Sequence, residues 1–167
     1  MGPAVTDRKL QAAAKRVLEA CRAHGLTIAT AESCTGGLVA AALTEIAGSS
    51  DVVDRGFVTY SDAAKRAMLG VPAATLKRHG AVSAETVTAM AAGALKKAGV
   101  DLSVAITGIA GPGGGSREKP VGLVYFAAAS RDGRRLQRRR LFGKIGRRSV
   151  RERSVAEALA LLEKLAQ

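Results

Sequence analysis

The 167-residue chain contains no tryptophan, two tyrosines and three phenylalanines, so its layers have to close through small aliphatic side chains. The same scarcity argues against a surface that stacks nucleobases. Two cysteines, Cys21 and Cys34, are too few for a disulfide scaffold, and reduced thiols are the expectation. The two histidines, His24 and His79, stand apart, with no paired cysteines or clustered carboxylates around them. No metal site and no cofactor are therefore expected, and neither histidine is placed to serve a Ser-His-Asp triad. No run approaches the roughly 18 apolar residues of a membrane span, and the N-terminal stretch MGPAVTDRKLQAAAKR turns charged without a long apolar core. A cytoplasmic protein with no membrane partner is the expectation. The chain carries neither an internal repeat nor a linker-like segment, and its length suits one globular domain over residues 1–167.

What is present is unevenly distributed. The net charge is +12, and eleven Lys or Arg crowd the stretch from Arg131 to Arg153 against only Asp132 and Glu152. Such a patch suits a nucleic acid, a phosphorylated small molecule or another subunit, or it keeps an edge strand and a helix face soluble.

Periodicity along the chain alternates between helical and extended. Asp7 to His24 has helical spacing and closes at Gly25, and LTIATAE reads as a buried strand. Thr35 to Ala47 reads as a helix, DVVDRGFVTYS as a strand, and a further helix begins near Ser61. Pro72 breaks the pattern. Ser83 opens a helix that runs to Ala98, and DLSVAITG is another buried strand. PVGLVYFAAAS and RRLQRRRLF form a hairpin around Arg131-Asp132-Gly133, before a last amphipathic helix from Ser149 to Leu165. Helices on both faces of a mixed sheet follow from this order, an α/β protein with three α/β/α layers.

Three segments carry chemistry. In TAESCTGG a strand passes into a helix through Ser33, Cys34, Thr35, Gly36 and Gly37, which exposes a nucleophile above a sheet and offers backbone N–H groups to an oxyanion or phosphate. Ser33 or Thr35 as a plain helix cap is the alternative, and Cys34 is a second candidate nucleophile. In GFVTYSDAAK, Tyr60 ends a strand and Lys65 follows one helical turn later, so both reach the same end of the sheet. Without a placed histidine, a desolvated lysine is the available base for a serine; a solvated surface lysine is the other reading. In ITGIAGPGGGS the glycines at 108, 111, 113, 114 and 115 permit an anion-binding nest, though the spacing is neither a Walker A loop nor a dinucleotide fingerprint.

Together AESCTGG, GFVTYSDAAK, HGAVS and TGIAGPGGGS followed by EKPVG resemble the CinA C-terminal domain family of nicotinamide-nucleotide amidases, from about Leu26 to Tyr125 and more weakly to the C-terminal helix. The resemblance implies a three-layer α/β/α fold and metal-free hydrolysis of the carboxamide of nicotinamide mononucleotide (NMN) to nicotinate mononucleotide and ammonia. It places the nucleophile at Ser33, the base at Lys65 and a supporting hydroxyl, which relays or orients the proton, at Tyr60. Substrate contacts are expected from Thr35, Gly36, Gly37, Thr107, Gly108, Gly111 and Arg147, with backbone N–H groups of residues 35–37 meeting the oxyanion and Arg147 and the glycine loop holding the phosphate. A homo-oligomer is expected. The family's Gly-Asp-Arg run after the last strand is replaced by GKIGRR following Phe142, and Arg147 is the best match to its arginine. That departure keeps two other readings in view, a nucleic-acid-binding module and a relative without turnover.

Overall fold

A computed structural model describes residues 7–167. Helix α1 (Arg8–His24) opens on Asp7, whose carboxylate accepts from the Lys9 N–H, and closes at Gly25. Strand β1 (Ile28–Glu32) leads to α2 (Leu38–Thr44), β2 (Val53–Val58), α3 (Asp62–Leu69), α4 (Ala73–His79) and α5 (Ala84–Ala98). After these come β3 (Leu102–Gly108), the hairpin β4 (Leu123–Ser130) and β5 (Arg135–Leu141), and α6 (Arg147–Ala166).

The five strands form one mixed sheet in the order β2-β1-β3-β4-β5. β1 pairs in parallel with β2 and β3, and the hairpin adds two antiparallel strands. The expected α/β class and three layers hold. Helices α1, α2 and α6 cover one face around Leu18, Leu43, Ile106, Phe126 and Leu159. Helices α3, α4 and α5 cover the other around Leu69, Val87, Met90 and Ala105. Each fully buried large apolar side chain in these layers contributes roughly 1.5–3 kcal/mol. Small residues let the second layer close tightly: a Cβ at Gly93 on α5 would stand 2.0 Å from the Leu69 carbonyl oxygen of α3.

Three elements differ from the sequence reading. α2 begins at Leu38 and not at Thr35, because Gly36 (φ +57°) and Gly37 (φ +101°) leave the right-handed helical region. The sequence pattern shows only a break at Pro72; in the structure Pro72 is the N-cap of a seven-residue helix, α4, that buries only Leu76, too short a stripe to register as a period. α6 starts two residues earlier than Ser149, which makes Arg147 its first residue. The N-terminal stretch read for targeting lies in part outside the described residues. No described helix is long and apolar enough to cross a membrane.

The topology places the site. β1, β2 and β3 run in parallel, so their C-terminal ends emerge together, and the chain passes from β1 to β2 on one side and then crosses back past β1 to β3 on the other. Crevices at such a switch point bind ligands because loops there diverge.

Candidate active site

The pairing of β1 with its neighbours continues past Glu32. Ser33 donates its N–H to the Ile106 carbonyl (3.0 Å) and Thr59 donates its own to the Glu32 carbonyl (2.9 Å), so the loops leaving all three strands start from fixed positions. From α3, Lys65 reaches back across this edge. Its Nζ lies 2.9 Å from Ser33 Oγ, 2.8 Å from the Thr59 carbonyl oxygen and 3.5 Å from the Tyr60 carbonyl oxygen. Only 1% of Lys65 is exposed, and no carboxylate bonds it. Burial drives its pKa below the usual lysine value, against smaller opposing effects of Asp62 and Cys34. The local sequence sets this up: Ser61 caps α3 through the Ala64 N–H, and Lys65 falls one turn later on the face turned to the sheet.

Cys34, next to Ser33, is buried, and burial pushes its thiol up to about 12. A thiol so held is the poorer nucleophile at neutral pH.

The glycine loop and α6 form the opposite side. Ser33, Cys34, Tyr60, Lys65, Thr107, Gly108, Gly111 and Arg147 line one cleft of about 260 Å³ together with Ala81, Val82, Ile109 and Ala110. That is just below the range of roughly 300–1,000 Å³ common for ligand sites. Thr107 Oγ1 donates to the Ala81 carbonyl (2.8 Å), joining the β3 end to the loop before α5. Arg147 donates to the Gly111 carbonyl oxygen (2.8 Å) and to the Tyr60 hydroxyl (2.9 Å), bridging the cleft mouth.

Two expectations about placement change. The Tyr60 side chain is 60% exposed and its hydroxyl bonds Arg147, not Ser33 or Lys65; only its backbone carbonyl comes near the lysine. The backbone donors also divide differently. Val39 and Ala40, in the first turn of α2, give their N–H groups to the buried carboxylate of Glu32 (2.9 and 3.1 Å), and Gly36 gives its N–H to the Ser33 carbonyl (3.1 Å). The N–H groups of Thr35 and Gly37 have no hydrogen-bond partner among the described residues. Thr35, Gly36 and Gly37 lie outside the cleft lining, and the Thr35 side chain is fully buried with its hydroxyl unpaired.

Glu32 and Arg151 were not singled out from the sequence. Glu32 lies within AESCTGG, and an acid between a strand and a helix signals an N-terminal cap. Arg151 lies four residues after Arg147, hence on the same face of α6.

A protein-family model, the CinA C-terminal domain, matches residues 10–166. The chain belongs to the CinA C-terminal domain family. Among its relatives in this family, nicotinamide-nucleotide amidohydrolase PncC of Escherichia coli (strain K12) is 52% identical over 158 residues, 95% of each chain. A CinA-like protein of Mycobacterium sp. (strain JLS) is 56% identical over 144 residues, 86% of this chain and 34% of that longer protein. The crystal structure of competence/damage inducible protein CihA from Agrobacterium tumefaciens superposes with a TM-score of 0.94 at 53% identity, covering 95% of this chain and 96% of that one. The CinA-family cleft therefore sits in an enzyme fold whose relatives include named amidohydrolases.

The basic stretch is largely occupied within this fold. Arg131 pairs with Asp101, Arg134 with Asp132, Arg138 and Arg140 with Glu157, and Arg148 with Glu152. Arg135, Arg147 and Arg151 donate to backbone carbonyls. Among the described residues, no group of three or more His, Cys, Asp or Glu side chains is arranged to hold a metal ion.

Proposed function

We propose that the chain is a nicotinamide-nucleotide amidase that converts NMN to nicotinate mononucleotide and ammonia through a serine nucleophile and a lysine base. The relationship to nicotinamide-nucleotide amidohydrolases over 95% of the chain supports the reaction. The observation that carries the mechanism is the buried Lys65 whose Nζ is 2.9 Å from Ser33 Oγ.

A neutral lysine has two N–H bonds and one lone pair. With the two N–H bonds directed at the Thr59 and Tyr60 carbonyls, the lone pair faces the Ser33 hydroxyl. Ser33 Oγ attacks the carboxamide carbon as Lys65 takes its proton, and the carbonyl oxygen becomes an oxyanion. Donors of the kind left open at Thr35 and Gly37 contribute roughly 3–4 kcal/mol each when aimed at such an oxygen. Lys65 then returns the proton to the leaving nitrogen, the C–N bond breaks and ammonia departs. Water attacks the acyl carbon with Lys65 again taking a proton, and transfer of that proton to Ser33 Oγ releases the nicotinate carboxylate.

Arg147 and the glycine loop bind the substrate phosphate. The Arg147 guanidinium donates to the Tyr60 hydroxyl and the Gly111 carbonyl, and a phosphate offers it a stronger, bidentate partner. Tyr60 thus belongs to the recognition end of the cleft and supports Arg147 in place of relaying a proton. The sheet and its two helical layers act as one amidase domain, in the cytoplasm. Ammonia release tests the activity: turnover on NMN, with none on nicotinamide and little on nicotinamide riboside, is expected. Equal turnover on the riboside contradicts the phosphate assignment, and no turnover on NMN contradicts the amidase.

A further inference from the structure

The turn that carries Ser33 is gripped from two directions. Glu32 holds its helical side through the Val39 and Ala40 N–H groups. From α6, Arg151 donates through Nε to the Cys34 carbonyl (3.1 Å) and through Nη2 to the Thr35 carbonyl (3.2 Å). Arg151 itself does not line the cleft. A Cβ at Gly36 would stand in ordinary contact with Nη2 (3.4 Å), so glycine is called for there by the backbone conformation (φ +57°) and not by lack of space.

Holding a carbonyl fixes the other end of its peptide. The Cys34–Thr35 peptide is trans, so its N–H points opposite to its C=O. With the Cys34 carbonyl turned to α6, the orientation of this peptide, one bond after Ser33, is set from that helix. The next peptide is held in the same way, and its N–H closes back on the Ser33 carbonyl, so both peptides that follow the Ser33–Cys34 bond are fixed from α6.

We propose that Arg151 is a positioning residue for amide hydrolysis, holding the Cys34 and Thr35 carbonyls so that the turn presents Ser33 Oγ to Lys65 Nζ and to the substrate carbon. The inference rests on the serine-nucleophile reading above. Its signature is an effect on the transition state and not on substrate binding, which separates Arg151 from Arg147 on the same helix face.

Steady-state ammonia release from NMN by Arg151→Ala, Arg151→Lys and Ser33→Ala tests it, with melting temperatures alongside. Misplacing a reacting group by about 1 Å costs on the order of a hundredfold, so losing the residue that holds the nucleophile's turn is expected to lower kcat about ten- to a hundredfold. KM is expected to stay within about twofold, and the lysine variant to recover part of the loss. Calorimetric NMN affinity in the Ser33→Ala background is expected to be the same with or without Arg151→Ala. An unchanged kcat, a raised KM with kcat retained, or weakened NMN binding in that background would overturn the proposal. So would parallel collapse of kcat and melting temperature in both Arg151 variants, which is the mark of a structural residue. Wild-type turnover by Ser33→Ala removes the serine reading underneath; an inactive Ser33→Ala beside a fully active Arg151→Ala removes the Arg151 inference alone.

Discussion

The two ends of the cleft handle positive charge in opposite ways. At the Ser33 end Lys65 is 1% exposed, bonded to carbonyls and a hydroxyl, and held below its ordinary pKa by desolvation. At the other end Arg147 stands exposed at the start of α6, with Tyr60 60% exposed beside it. The first arrangement suppresses a charge so that a lone pair is available. The second keeps a permanent charge where a phosphate arriving from solvent meets it. One sheet edge supports both because α3 approaches it from one layer and α6 from the other.

The largest effect is expected from breaking the buried end. Lys65→Met should lower kcat by at least about a thousandfold, since a general base and the activation of the nucleophile are lost together. In the wild type, kcat/KM should rise with pH through the lowered Lys65 pKa, reaching its half-maximum below the ordinary lysine value of 10.5. The same group links stability to pH. The unfolded chain holds the lysine proton up to about 10.5 while the folded chain releases it earlier, so stability rises with pH across the interval between the two values. Denaturant melts at several pH values should show that slope in the wild type and lose it in Lys65→Met. A half-maximum at or above 10.5, or an identical slope in the variant, would place an ordinary charged lysine at the site.

At the exposed end the expected loss moves from kcat to KM. Arg147→Ala removes a charge-assisted contact of about 1.5–3 kcal/mol, which raises the NMN KM roughly ten- to a hundredfold and leaves the slow reaction of the riboside nearly unchanged. Uniform loss on both substrates would make Arg147 a folding residue. Smaller still is Tyr60→Phe, which deletes a partially solvated hydroxyl that accepts from Arg147. A change in KM within about threefold, at constant kcat, is expected. A fall in kcat of a hundredfold or more would restore the proton-relay role that the position of the hydroxyl argues against.

Much of this contrast was legible in the sequence. Ser33 between a strand and two glycines, Lys65 one turn after the capping Ser61, and the glycine loop after a buried strand each carried a local signal, and the structure brings them to one cleft. The donors were less legible. The sequence suggests that the start of α2 offers all its N–H groups to a ligand, but the side chain of Glu32 folds back onto two of them. That contact depends on where a buried carboxylate points, which periodicity does not encode. The basic stretch reads as one patch along the chain, whereas in space its arginines alternate between the faces of β5 and successive turns of α6 and find carboxylates as distant as Asp101 and Glu157. Arg151 is hidden among them for the same reason, since its partners lie 116 and 117 residues away in sequence. Long-range pairing of this kind has no local signature.

The account stands on Ser33, and not its neighbour Cys34, forming the bond to the substrate carbon. The direct measurement is ammonia release from NMN by Ser33→Ala and Cys34→Ala, with mass spectrometry of acid-quenched wild-type enzyme to locate the nicotinoyl nucleotide adduct. The buried thiol, with its pKa pushed up to about 12, is expected to be dispensable, so Cys34→Ala keeps most of the activity, Ser33→Ala loses it, and the adduct maps to Ser33. Activity retained by Ser33→Ala and lost by Cys34→Ala, with the adduct on sulfur, would contradict it.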